Sequence, residues 1–283
     1  MTSGRMPAPG PSGGLTNLQT RILSAVVLIA IVLPITWYGG LAFRLLCAAI
    51  GAAILYEWLH MSAGIRRDHK TLLGLALAAV LVLLVAAVPA FYVLSALVVA
   101  VAAAAALARV RGTGMEAAVG LGYAGLSAVA LALLRDDDAQ GLWAILFLFA
   151  VVWATDICAY FVGRAVGGPK LAPAISPGKT WSGAIGGTAG GIVAGMAVAW
   201  YVGFADIATV MVCLILSVVG QVGDLFESSV KRRHGAKDSS NLIPGHGGVM
   251  DRVDALVAAA FAFYVIGALS GGLDQPAHGL IPV

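Results

Sequence analysis

The chain reads as an all-α, polytopic integral membrane protein of about nine transmembrane helices with a cytoplasmic N-terminus, and three observations predict this. Hydrophobic residues make up 60% of the 283 and charged residues only 11%, with a mean hydropathy of +0.94; a soluble domain carries about 25% charged residues. Nine apolar runs approach the roughly 20 residues that a helix needs to cross the hydrocarbon layer. The basic residues fall in alternate loops, as a regularly threaded membrane chain requires.

The runs follow in order. Residues 1–20, rich in Pro, Gly, Ser and Thr, read as a disordered tail. The rest, 21–283, reads as a single transmembrane domain, with spans at 21–38, 40–61, 71–88, 90–108, 117–134, 141–163, 182–203, 207–226 and 252–270. The first run is not bounded by an Ala-x-Ala-like cleavage site and more spans follow, so it reads as a retained helix and not a signal peptide. Pro89 separates the third from the fourth, which otherwise run together. The seventh opens on a row of glycines, Gly183, Gly186, Gly187, Gly190, Gly191 and Gly195, read as close helix packing through small residues. Backbone groups in lipid must pair within their own segment, so each span is helical, and no strand pattern or repeat is visible. Cys47, Cys158 and Cys213 lie in apolar runs without a Cys-x-x-Cys spacing, which argues against a disulfide framework or a zinc site.

Charge sets the orientation. Arg5 and Arg21 precede the first span; Arg66, Arg67 and Lys70 follow the second; Arg109 and Arg111 the fourth; Arg164, Lys170 and Lys179 the sixth; and Lys231, Arg232, Arg233 and Lys237 the eighth. The opposite loops hold Arg44, Arg135 and the run Asp136-Asp137-Asp138, read as a solvated external loop. The N-terminus and the even-numbered loops are therefore expected in the cytoplasm and the C-terminus outside. A net charge of +3 adds little to this, and nucleic acid is not an expected partner.

Two basic loops, about 164–181 and 227–251, are longer than the rest and hold the candidate chemistry. Asp224, Glu227 and Ser228 share a helical face at the end of the eighth span. An acid inside a span is costly, and usually faces a polar cavity. Asp251 and Asp254, at i,i+3, open the ninth span and follow the turn Pro244-Gly-His-Gly-Gly248, whose glycines let backbone N–H groups approach an anion. The alternative for this pair is a plain match to the helix dipole. If the two spans bring Asp224 and Asp251 face to face, they can hold one or two Mg²⁺ ions with phosphate oxygens completing the shell. Asp156, Tyr160 and Gly163 share a face of the sixth span, so Asp156 points either into a site or at a neighbouring helix. Ser176-Pro-Gly-Lys-Thr180 is not a Walker A loop, because Pro173 stands where its first glycine belongs and no strand precedes it. Lys179 and Thr180 are nonetheless fair phosphate contacts. Glu57 could be a cavity acid or could reach the headgroups, and both readings stay open. His234 and His60 read as surface residues.

The stretch Ser229-x-Lys231-Arg232-x4-Lys237-Asp238-x3-Leu242-x-Pro244-Gly-His246-Gly-Gly248-x2-Asp251-Arg252-x-Asp254 resembles the signature of the phosphatidate cytidylyltransferase (CDP-diacylglycerol synthase) family. Asp156-Ile-Cys-Ala-Tyr160-Phe-Val-Gly163-Arg164 and Ser176-Pro177-Gly-Lys179-Thr180-Trp181 are similar to two further segments of that family, the second continuing Ser182-Gly183 where the family usually has Glu-Gly. The matches cover roughly 150–260. The resemblance implies a metal centre at Asp224 and Asp251, with Asp254 beside them, and catalytic roles for Asp224, Asp251, Lys231, Arg232 and Lys237. It implies nucleotide contacts from Asp156, Ser176, Lys179, Thr180, His246, Gly247, Gly248 and Arg252. It also implies Mg²⁺ as cofactor, as two divalent ions or together with K⁺; CTP and phosphatidic acid as substrates; membrane lipid as surroundings; a homodimer; and a multi-pass protein of the inner (plasma) membrane with its site facing the cytoplasm. Two other classes are compatible with the acids near the spans. A CTP-dependent polyprenol kinase would release CDP instead of pyrophosphate. An ion-coupled transporter would have no use for the Pro-Gly-His-Gly-Gly loop.

Overall fold

A computed structural model describes residues 17–62 and 64–281. Nine helices account for most of them: α1 (Asn17–Tyr38), α2 (Gly40–Met61), α3 (Arg67–Val85), α4 (Ala90–Val110), α5 (Glu116–Arg135), α6 (Ala139–Val166), α7 (Trp181–Val202), α8 (Ile207–Arg233) and α9 (Met250–Gly271). A 3₁₀ turn, Pro276–Gly279, closes the described chain. Eight of the helices, α2 to α9, are long and apolar enough to cross a membrane; in α1 the apolar part is Ile22–Tyr38. Of the expected tail, residues 1–16 lie outside the described residues, and 17–20 begin α1.

Two expectations are corrected. The 164–181 segment is not strand-free: β1 (Lys170–Ala172) and β2 (Ser176–Thr180) pair antiparallel, Lys170 opposite Thr180 and Ala172 opposite Ser176. Strands this short, with Pro177 and Gly178 inside one of them, show no alternation to read. The second correction concerns α8, which continues past residue 226 to Arg233, so the long loop starts only at His234. Hydropathy ends at the membrane surface but the helix does not. Lys231 pairs with Glu227 one turn back at 2.8 Å, and three cations in the last turn suit the helix dipole.

Large apolar side chains cover the outside of the bundle; Leu75, Val82, Val98, Val99, Val193 and Trp200 are all exposed, as a hydrocarbon surrounding permits. The core is formed by α2, α5, α6 and α9 around Trp58, Leu121, Phe147, Leu148 and Phe263. The glycine row of α7 packs on α6 as expected. A Cβ at Gly187 would lie 2.7 Å from Thr155 O and 2.8 Å from Ala159 Cβ, so these backbones meet closely. That contact fixes the hairpin, which leads straight into α7, against the end of α6.

Polar groups gather at the two ends of the bundle. The acidic end is less solvated than the sequence suggests. Of Asp136–Asp138 only Asp137 is exposed, paired with Arg44 at 3.2 Å. Arg135 is buried and donates to the carbonyls of Thr36, Trp37, Asp136 and Asp138, which fastens α1 to α5. One ligand atom each from Asp136, Asp138 and His278 lie within 4.8 Å of one another. Asp138 is already committed: Oδ1 accepts the Gly141 N–H at 2.8 Å, capping α6, and Oδ2 meets His278 Nε2. Partial burial pushes the Asp138 carboxyl up, but the Gly141 amide and His278 outweigh it and hold it below the ordinary value of 3.8. Stability from such a group is present above the unfolded-state value and is lost as pH falls through the folded one. Asp138→Ala is therefore expected to lose about 1 kcal/mol near neutral pH, with the gap to the parent closing as pH falls below 3.8. Thermal unfolding in detergent across that range checks it; a gap independent of pH contradicts it.

Candidate active site at the basic end

The opposite end carries the basic loops and every residue singled out for chemistry. Its centre is a row of acids braced by two lysines. Lys179, from β2, forms an ion pair with Asp224 Oδ2 on α8. Lys231, about two turns further along α8, reaches Glu227 Oε2 at 2.8 Å and Asp251 Oδ1 at 2.6 Å. Asp254 is near enough to Asp224, Glu227 and Lys231 to interact with them electrostatically. Asp156 on α6 faces the same group, within reach of Asp224, Asp254 and Lys179. Spacing explains the arrangement. Asp224, Glu227 and Lys231 recur at i, i+3 and i+7, one stripe of α8, while Asp251 and Asp254 present one stripe of α9 to it.

Asp224 and Asp251 are thus brought to one cluster but not onto one partner. Asp224 is paired with Lys179 and accepts from the Ser228 hydroxyl at 3.3 Å. Asp251 is saturated: besides Lys231, its Oδ2 accepts from Ser239 N–H at 2.9 Å and Gly248 N–H at 2.8 Å, with the Ser239 hydroxyl 3.0 Å away.

The residue behind this arrangement is Glu57, whose role the sequence left open. It is fully buried at the end of α2 and belongs to no signature segment. Its two oxygens accept three hydrogen bonds, from Ser240 Oγ–H at 2.6 Å and Val249 N–H at 2.8 Å on Oε1 and from Met250 N–H at 2.8 Å on Oε2; the Ser239 hydroxyl lies 3.0 Å from both Glu57 Oε2 and Asp251 Oδ2 and donates its one proton to either. Those amides begin α9, where helical N–H groups lack backbone acceptors. Glu57 therefore caps α9 and secures the 239–249 loop from 180 residues away. Gly248 fits between these groups because it lacks a side chain; a Cβ there would meet Glu57 at 2.6 and 2.7 Å. The only sequence signal was an acid inside an apolar span.

The remaining candidates divide. Arg232 is exposed and donates to the carbonyls of Ile175 (3.3 Å) and Ala236 (3.0 Å), so it ties the end of α8 to the hairpin. Thr180 is buried and caps the start of α7, its Oγ1 accepting Gly183 N–H at 3.1 Å, so its hydroxyl oxygen is already engaged by the helix. Ser176 opens β2 half-buried, and Lys237 is exposed without a hydrogen-bond or ion-pair partner among the described residues. In the Pro-Gly-His-Gly-Gly turn, Ile243 N–H donates to Gly247 O at 2.8 Å and His246 N–H to Ile243 O at 2.9 Å, with Gly245 and Gly247 at φ 75° and 85°. His246 Nδ1 is buried with no partner among the described residues.

A cavity of about 610 Å³ opens beside the cluster between α6, the hairpin, α7 and α8. Asp156, Lys170, Lys179, Thr180, Gln221 and Asp224 line it. Five carboxyl groups (Asp156, Asp224, Glu227, Asp251, Asp254) here face two lysines, Lys179 and Lys231. Such an oxygen-rich surplus of acid suits a hard divalent cation such as Mg²⁺, with water and phosphate filling the shell. Asp224 and Asp254 have coordination capacity left; Asp251 would join only after releasing Lys231.

A sequence profile described as the cytidylyltransferase family matches residues 19–270. A Brucella suis biovar 1 protein named phosphatidate cytidylyltransferase is 50% identical over 264 residues, covering 93% of this chain and 97% of its own length. Proteins of the same name from Haemophilus influenzae and Staphylococcus aureus (strain COL) are also similar. The first is 43% identical over 154 residues, 50% of this chain and 54% of its own. The second is 33% identical over 251 residues, 85% of this chain and 95% of its own.

Proposed function

The chain belongs to the cytidylyltransferase family, and from that premise we infer that it is a phosphatidate cytidylyltransferase. It joins CTP to phosphatidic acid, giving CDP-diacylglycerol and pyrophosphate, a step of phospholipid biosynthesis. The observation that carries this is 50% identity across nearly the whole length of a relative with that name. The acids and lysines of the cluster are the chemistry such a transfer needs.

In this reaction a phosphate oxygen of phosphatidate forms a bond to the α-phosphorus of CTP while the bond to the bridging oxygen of the β-phosphate breaks. The electron pair leaves with pyrophosphate. The nucleophile is already anionic, since the second phosphate pKa lies near 6, so no strong base is required. What remains is to bring two anions together and align them. Lys179, at the cavity wall, is placed to meet the triphosphate, and Lys231 to exchange Asp251 for a phosphate oxygen. Asp251 and the glycine turn hold Lys231 and the α9 amides in register. Mg²⁺, held by Asp224 and Asp254 with Asp251 in reserve, would neutralise phosphate charge when bound. The alternating basic loops support a cytoplasmic site in the inner membrane, and the family resemblance supports a homodimer.

The test is incubation of the purified protein with labelled CTP, Mg²⁺ and phosphatidate. CDP-diacylglycerol and pyrophosphate in equal amounts are expected. CDP with a phosphorylated lipid would instead mark a lipid kinase and overturn the reading.

A further inference from the structure

We propose that an apolar groove between α1, α2, α6 and α9 holds an acyl chain of the lipid substrate, and that Arg252 at its basic end binds the lipid phosphate. This rests on the cytidylyltransferase reading and assigns its second substrate a place. The groove has a volume of about 440 Å³ and is walled by side chains such as Leu28 and Val32 of α1, Ile50 of α2, Trp153 of α6 and Leu256 of α9. Among its lining residues Arg252 alone is charged.

Three features select a phosphate-bearing hydrocarbon as occupant. First, Arg252 is exposed, and its guanidinium has no hydrogen-bond or ion-pair partner among the described residues, whereas Arg232 and Arg164 are engaged. Second, its position is not explained by helix stability. It sits in the first turn of α9, where the dipole disfavours a cation. A forked guanidinium suits a phosphate there. Third, the groove runs from Arg252 and Ile243 at the basic end to Phe43 and Leu131 nearer the other end, so it follows the direction of a lipid chain. Its outer wall, α1, is held to the signature loop by Ser24 Oγ–H donating to Pro244 O at 2.8 Å.

The groove and the 610 Å³ cavity share no lining residue. Arg252 follows Asp251 directly and lies about 100° round the helix from it. The groove and the acid cluster therefore lie on adjacent faces of α9, so the two substrates approach the cluster from different directions and a phosphate at the groove's basic end can meet the nucleotide there.

The test varies dioleoyl phosphatidate and CTP separately in mixed micelles. Arg252→Gln is expected to raise KM for phosphatidate about tenfold or more, as loss of a hydrogen bond to a charged group implies, while KM for CTP moves less than twofold; Arg252→Lys should recover part of the loss. Ala49→Trp, which fills the groove about two turns along α2 from Glu57 and the start of α9, should impair turnover of dioleoyl but not dioctanoyl phosphatidate, and Ala49→Leu should do so more mildly. Native mass spectrometry supplies a readout without turnover: the parent should retain dioleoyl phosphatidate over dioleoylglycerol, and Arg252→Gln should lose that preference. Equal rises in both KM values, an unchanged chain-length profile, or unchanged lipid retention would each overturn the proposal. Failure of the parent to form CDP-diacylglycerol would sink the activity instead, and the retention experiment would still decide the site.

Discussion

Asp251→Asn is expected to leave a folded, inserted protein whose kcat is lower by about 10³-fold, the scale of losing a group that stabilises transition-state charge. Asp224→Asn should fall by a similar factor for a different reason. Asp251 orients Lys231 and gathers Ser239 and Gly248. An amide at that position offers one acceptor oxygen where two are used, and it presents N–H groups to a lysine. Asp224 is half-buried at the cavity wall with Lys179 and Ser228 as its hydrogen-bond partners among the described residues, so its replacement should disturb the fold little and the site's charge greatly. Circular dichroism and detergent thermal unfolding should stay near the parent for Asp224→Asn, while CTP-dependent product formation is lost. Full activity in both purified variants would refute the assignment of these acids to the reaction.

Glu57→Ala should be nearly as damaging although Glu57 lines neither cavity. Removing it leaves two backbone N–H groups and the Ser240 hydroxyl without acceptors in a buried place, and each such orphan costs about 1–3 kcal/mol. The structure can recover part of that only by letting the 239–249 loop and the start of α9 move, which displaces Asp251. A misplacement of about 1 Å at a reacting centre can lower a rate about 10²-fold. We expect kcat to fall by at least that factor, with thermal stability reduced. Glu57→Gln is the sharper probe, since it keeps the volume but aims an amide N–H₂ at backbone donors. It should lose most of the activity, and Glu57→Asp should retain more. If Glu57→Gln turns over like the parent, the proposed support of the loop is wrong.

Much of this was legible in the chain because a bilayer imposes simple rules. A run of about 20 apolar residues can only be a helix in lipid, and eight of the nine expected spans return as helices of sufficient length and apolarity. The glycine row of α7 was readable because close backbone approach has a simple requirement, the absence of Cβ. The charged segment from Ser229 to Asp254 was legible as a site because acids, cations and glycines have little reason to gather beside an apolar span. The helix ends were less legible. Hydropathy locates the membrane surface, while α8 stops where its pairing and capping run out, at Arg233. The β1–β2 hairpin escaped because its three- and five-residue strands are too short for periodicity to show.

By itself, the amino-acid order determined the helical class, the number of apolar runs and where acids, cations and glycines gather beside them, because each depends on local composition and spacing. Only the tertiary structure decided who pairs with whom. It gave Lys179 to Asp224 and Lys231 to Asp251, committed Thr180 to a helix cap, and put Glu57 beneath a loop 180 residues away. Such pairings depend on which donor the packing of distant helices leaves without an acceptor, and that is a property of the assembled bundle, not of any one segment.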